Sequence, residues 1–261
     1  MIIRRSFEEQ LDELQSDLLR LGRFVEEALG KAIDALVRQD SVLAKQVIAD
    51  DDYADDMNFG IQSRAMQLLA LQQPMARDLR TVGASMRIVI DLERIGDHAV
   101  DIAKVARSLA GQSYFKPLVD IPRLGMLSRQ MVSDALQAFV SHDQEMALEV
   151  ARNDDGVDDL CDELQAELIE RMRNDPSLVE QATRLLLVAR VLERSADHAT
   201  NIAEQIYYVE TGEMRALGRE HKVVKPLSPA SIDHHQLHES DGRDADVPYA
   251  LPNRNGTAPK S

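Results

Sequence analysis

Leu11, Leu14, Leu18, Leu21, Val25 and Leu29 recur at three- and four-residue steps, which places them on one face of an α-helix. Ser6 and Glu9 precede that stripe at the S-x-x-E spacing in which each side chain can cap the other residue's amide, so the helix is expected to begin there and run to about Val37. A second periodic stretch starts near Asp40 and ends by Gln73, because Pro74 cannot sit in a helix interior but is suited to opening the next helix. A third stretch continues to about Leu109. Gly111, Pro117 and Pro122 then mark a connector.

The same order returns beyond the connector. Residues 32–56 align with 135–159 at a shift of 103 with ten identities, and LERIGDHAVDIA at 92–103 matches LERSADHATNIA at 192–203 in eight of its positions. The chain is a tandem duplication. Asn174, Asp175 and Pro176 separate the second and third helices of the second copy as Pro74 does in the first. The expected fold is therefore all-α, with one three-helix bundle over residues 1–112 and another over 120–215. Five of the nine prolines fall in the last 46 residues among Ser, Asp, His and Gly, so 216–261 reads as a disordered tail.

Composition narrows the chemistry. Aromatics make up only 4% of the chain and tryptophan is absent, which suits Leu/Ala/Val helix packing. The net charge is −15, and the tail holds six Lys/Arg against six Asp/Glu, so the whole excess lies on the repeats. Such a surface repels phosphate backbones, arguing against nucleic acid and for cations or basic protein patches as partners. Cys161 is the only cysteine, which excludes an intrachain disulfide and fits a reducing compartment. MIIRRSFEEQ turns polar too early for a signal peptide, and no apolar run approaches the ~18 residues of a membrane span, so a cytoplasmic protein is expected, peripheral at a membrane only through partners.

The acidic residues are not scattered. Asp51 and Asp55 are four apart on the second helix, Glu93 and Asp97 four apart on the third, so each pair shares a helix face. The midpoint of Asp55 and Glu93 is residue 74, as is that of Asp51 and Asp97. Two antiparallel helices hinged there bring the pairs level, with Asp55 and Glu93 about 28 Å from the turn. In the second copy Asp158 with Glu193, and Asp154 with Asp197, are both centred beside Pro176, although the hairpin is three residues shorter. A solvated charge run has no reason to preserve that register. Four facing carboxylates make a hard oxygen cage for Mg²⁺, Mn²⁺, Ca²⁺ or iron, and the lack of Cys ligands disfavours structural zinc. Asp101 in the first copy and Asp162 in the second are candidate fifth ligands from opposite helices, so the two sites need not hold the same metal.

His98 and His198 directly follow site aspartates and point about 100° away, which favours interhelical hydrogen bonding over ligation. His234, His235 and His238 in the tail are weak metal candidates. Two other readings stand beside the metal-binding one. A ferritin-like di-metal oxidase would use Glu-x-x-His pairs, whereas histidine here falls five residues after Glu93 and Glu193. A purely structural bundle would leave its acidic stripes facing solvent.

PMARDLR at 74–80, DLERIGDHAVDIA at 91–103 and LERSADHATNIAEQIYYVETGE at 192–213, with the duplicated D-x-x-x-D and E-x-x-x-D pairs, resemble the signature segments of the PhoU family, regulators of the bacterial phosphate-starvation response. The similarity spans about residues 3–214. It implies two three-helix bundles with metal carried at Asp51, Asp55, Glu93 and Asp97 and at Asp154, Asp158, Glu193 and Asp197. It further implies a negative regulator, without catalysis, that couples the ATPase subunit of a phosphate ABC transporter to a membrane sensor histidine kinase, with a homodimer as the expected assembly. The R-D-L-R segment at 77–80 has no counterpart in the second copy, and the tail lies outside the resemblance.

Overall fold

Asp40 accepts hydrogen bonds from the amides of Val42 and Leu43, and Asp143, its partner in the repeat, accepts from those of Glu145 and Met146. Each satisfies donors that a helix start leaves free, so the second limb of both copies begins at the same residue. The computed structural model describes residues 2–218, with side chains from residue 7 onward. Among these residues there are seven α-helices, one 3-10 turn and no strand: α1 (Ile2–Arg38), α2 (Ser41–Ala49), α3 (Asp51–Gln72), α4 (Arg77–Leu109), α5 (Asp120–Ser141), α6 (Gln144–Asn174) and α7 (Val179–Thr211), with the 3-10 turn at Pro176–Leu178.

The expected all-α duplication is present. Helices α1, α3 and α4 pack on one another with α2 against α1 and α4, helices α5, α6 and α7 pack likewise, and the two sets meet where α4 lies on α7 and α1 on α5. Helix α4 buries 17 of its 33 residues, including Ala84, Ser85, Gly96, Ala99 and Ala103, whose small side chains let neighbours approach on two sides. Helix α3 buries only Ala54, Met57, Ile61, Ala65 and Leu68, a single stripe, and so forms an outer wall. Between α1 and α5, a β carbon built on Gly22 would lie 2.5 Å from Leu136 Cδ1, and one on Gly125 would collide with Ile33. Glycine at these two positions sets how closely the halves approach. Each buried leucine along these seams, such as Leu18, Leu21 and Leu92, contributes about 1.5–3 kcal/mol.

Three local expectations are corrected. Helix α1 already runs through Ser6 from Ile2, so Ser6 lies inside the helix and not at its cap. The second stretch is broken in the first copy: Asp50, at φ −81° and ψ −4°, ends α2 and starts α3, whereas α6 is continuous. The break gives Asp51 and Asp52 a helix N-terminus of their own, where negative charge is favoured. Pro74 does not open α4; Gln73 and Ala76 take positive φ and helical structure resumes at Arg77. Pro176, by contrast, does open a helical turn, capped by Asp175, whose side chain accepts from Ser177 N–H at 3.0 Å.

The tail expectation also begins too early. Leu217 and Gly218 are half-buried against the second half, and 219–261, with His234, His235 and His238, lie outside the described residues. No helix among the described residues is long and apolar enough to cross a membrane.

Candidate functional site

Ala54, Met57 and Ile61 turn one stripe of α3 into the core, which leaves Asp51 and Asp55 at its edge beside α4. Across from them, Leu92, Ile95 and Gly96 are buried on α4, so Glu93 and Asp97 emerge on the side facing α3. All four carboxylates are half-buried. Burial pushes the Asp51 carboxyl above its ordinary range, and the charges of Asp97 and Asp55 push it further. Glu93 is raised as well, by burial first and then by Asp97, with Asp55 and Asp51 adding and Arg94 opposing. Asp51 thus feels Asp97 and Asp55, and Glu93 feels Asp97, Asp55 and Asp51, so the pair on α3 and the pair on α4 lie within electrostatic reach of each other.

Some of that repulsion is already offset. Arg94 Nη1 donates to Asp97 Oδ2 at 3.0 Å, and its Nε lies 3.7 Å from Glu93 Oε2. Asp101, one turn along, is exposed and paired with Lys104 at 3.2 Å. The matching extension of α3 is Phe59, which is 70% exposed.

The second cluster sits deeper. Asp154 is only 3% exposed, while Asp158, Glu193 and Asp197 are half-buried. Arg190 Nη1 donates to Glu193 Oε1 at 3.0 Å. Glu193 reaches toward α6: the buried Cys161 thiol is raised to about 11, chiefly by burial and next by the Glu193 charge. Asp162, beside Cys161, is exposed.

The histidines face elsewhere. His98 is 5% exposed at the α4–α7 seam, with Nδ1 3.0 Å from Ser195 Oγ. Ser195 Oγ also lies 2.9 Å from Val191 O, and when the hydroxyl donates there His98 Nδ1 is the donor to Ser195 Oγ. His198 Nδ1 lies 2.8 Å from Asp91 Oδ1, to which Asn201 also donates at 3.3 Å, and the two imidazole rings are 5.4 Å apart. Asp91 was missed from sequence. Its signal was there: Val191 stands at the equivalent position, so a charge appears on one copy of a face that is apolar on the other.

The R-D-L-R segment also acquires a role. Arg80 donates through Nε and Nη2 to Val209 O at 3.1 and 2.9 Å, satisfying a carbonyl in the last turn of α7, and Arg77 Nη2 donates to Glu210 Oε1 and Oε2 at 2.7 and 2.6 Å. One copy's hairpin tip thus holds the end of the other copy's last helix. A segment that reaches across the repeat has no reason to be repeated in it.

The donor chemistry of the first cluster suits a hard cation. Neighbouring carboxylates raise the proton affinity of Asp51 and Glu93, and a multivalent ion would relieve the same repulsion that a proton does. The side chains do not converge at rest: among the described residues no group of three or more His, Cys, Asp or Glu forms a ready-made cation cage. Closing on an ion would require rotation of half-buried carboxylates that lie at a helix surface.

The PhoU domain model matches residues 18–106 and 121–206, one match to each repeat. The phosphate-specific transport system accessory protein PhoU homolog of Clostridium acetobutylicum is 40% identical over 210 residues, covering 80% of this chain and 96% of that protein. The homolog of the same description from Pseudomonas putida is 36% identical over 234 residues, 88% of this chain and 91% of its own. Among solved structures, PhoU from Pseudomonas aeruginosa superposes with a TM-score of 0.77 at 36% identity, over 79% of this chain and all of that one. The phosphate transport system regulatory protein PhoU from Streptococcus pneumoniae gives 0.76 at 34%, over 80% of this chain and 99% of its own.

Proposed function

Because the chain belongs to the PhoU family, we propose that it is an accessory regulator of phosphate transport that restrains the phosphate-starvation response when phosphate is plentiful. The observation that carries this reading is coverage: the family model matches both repeats, and the Clostridium relative, named as an accessory protein of phosphate-specific transport, is matched over 96% of its length. The protein acts by contact and not by turnover. Its two related halves present similar faces to two partners, the transporter's ATPase subunit and a membrane sensor histidine kinase, from the cytoplasmic side.

The carboxylate clusters hold hard cations in this reading, Asp51, Asp55, Glu93 and Asp97 in the first half and Asp154, Asp158, Glu193 and Asp197 in the second. A bound cation supplies positive charge that cancels the repulsion within each quartet and ties α3 to α4 or α6 to α7. The ferritin-like alternative is disfavoured because His98 and His198 are hydrogen-bonded at the α4–α7 seam. The structural alternative predicted solvent-facing stripes, and a nearly inaccessible Asp154 does not fit it.

A strain lacking the protein is expected to express phosphate-starvation genes at high level in phosphate-rich medium, measured with a phosphatase reporter. Normal repression in the deletion strain would overturn the regulatory reading, whatever metal analysis showed.

A further inference from the structure

The chain leaves α4 and α7 at equivalent points of the two repeats but takes different courses. After α4 it crosses to the other half: Phe115 N–H donates to Gln181 Oε1 at 3.1 Å, and Lys116 pairs with Asp120 and Glu167. After α7 it doubles back. Gly212, at φ +82°, closes the helix with its amide 2.9 Å from Tyr208 O, a left-handed conformation that a side chain would oppose. Glu213 N–H then donates to Thr211 Oγ1 at 3.1 Å, and residues 213–216 run exposed. Leu217 N–H donates to Glu204 Oε1 at 2.9 Å, so the chain has returned about two turns along α7. At Gly218 it reaches the second cluster: a β carbon there would lie 3.2 Å from Thr200 Cγ2 and 3.7 Å from Asp154 Oδ2. Only glycine lets the backbone come this close without pushing Thr200 aside.

We infer that residues 212–218 form a strap over the second carboxylate cluster, so that a hard divalent cation enters or leaves beside Asp154 only when the strap lifts, while the first cluster, over which no such strap lies among the described residues, exchanges faster. The inference rests on the proposed metal role of both clusters. The launch point of the strap is itself fixed by the first half, since Arg80 grips Val209 O and would sit 3.7 Å from a β carbon on Gly212. Two clusters with the same four ligands thereby acquire different exchange rates: a fast site on the first half and a slow, retentive one on the second.

The test follows Mn²⁺ uptake by the full-length chain, from the loss of the free-ion electron paramagnetic resonance signal, and its release to excess chelator. The wild type should show two phases of comparable amplitude. Glu204→Ala removes the anchor of Leu217, and Gly218→Val forces the strap off Thr200. Either should accelerate the slow phase roughly tenfold, the factor that one hydrogen bond to a carboxylate is worth. Glu204→Gln keeps an acceptor for Leu217 N–H and should stay close to wild type. Gly218→Val lies outside every helix, so folding of the body is not at risk. Two bound ions exchanging at the same rates in wild type and both strap variants would overturn the strap while leaving the metal sites standing. Failure of wild type and variants alike to retain any Mn²⁺ would overturn the metal reading and the strap with it.

Discussion

Acidification from pH 6.5 to about 4 is expected to remove up to about 3 kcal/mol of folding stability through His98 alone. Burial is the main reason its pKa falls from 6.5 to about 4, helped by His198 and Arg194, with Asp101 opposing. A histidine with a depressed folded pKa keeps its full contribution above the unfolded value. It loses that contribution as pH falls, because the unfolded chain takes up the proton first. His98→Asn retains an N–H aimed at Ser195 Oγ but cannot titrate, so its acid limb should be flatter, whatever constant cost the smaller side chain adds. Chemical denaturation of metal-free protein at several pH values measures the difference. Asp51 and Glu93 work in the other direction: their raised carboxyl pKa values favour the folded state as pH falls through a window above 3.8 and 4.5. Comparing variant with wild type cancels that contribution. Parallel stability curves for the two proteins would show that His98 is not a neutral, buried group at the seam.

The duplication was legible, as was the placing of Asp51 and Asp55 within reach of Glu93 and Asp97, because both follow from helical periodicity, which depends on the sequence and little else. Local terminations were less so. The break at Asp50 and the late start of α4 depend on how hairpin ends dock: α4 begins where Arg77 and Arg80 can reach Glu210 and Val209, more than a hundred residues away in sequence. The Asp91–His198 pair joins two repeats that the alignment treats as copies, so reading one copy against the other exposed the difference but not the contact. The fold-back of Leu217 and Gly218 was hidden for a related reason. A polar, proline-rich composition describes the average of the tail, and it does not reveal that the Leu217 amide meets Glu204 and Gly218 packs on Thr200.

The carboxylates themselves give the second large effect. Replacing both Asp51 and Asp55 with Asn is expected to abolish retention of Mn²⁺ by the first cluster, since affinity of oxygen sites for hard cations follows the number of charged ligands and this change halves it. The same change should leave the metal-free protein at least as stable as wild type near neutral pH. The argument is one of competing terms. Asp51 lies in the first turn of α3, where a helix N-terminus favours negative charge by about 0.3–1 kcal/mol, and losing that charge forfeits the gain. Against it stand burial and the fields of Asp97 and Asp55, and the upward direction of the Asp51 pKa shows that these win. Neutralisation is thus favourable without metal and unfavourable with it, so the substitutions should raise or maintain the melting temperature in chelator and cut the increment that Mn²⁺ gives the wild type to the part the second cluster supplies. An acidic stripe with no metal role would give no Mn²⁺ increment in either protein. Unchanged Mn²⁺ stoichiometry in the double variant would place the cation elsewhere on the surface and sink the assignment of the first cluster.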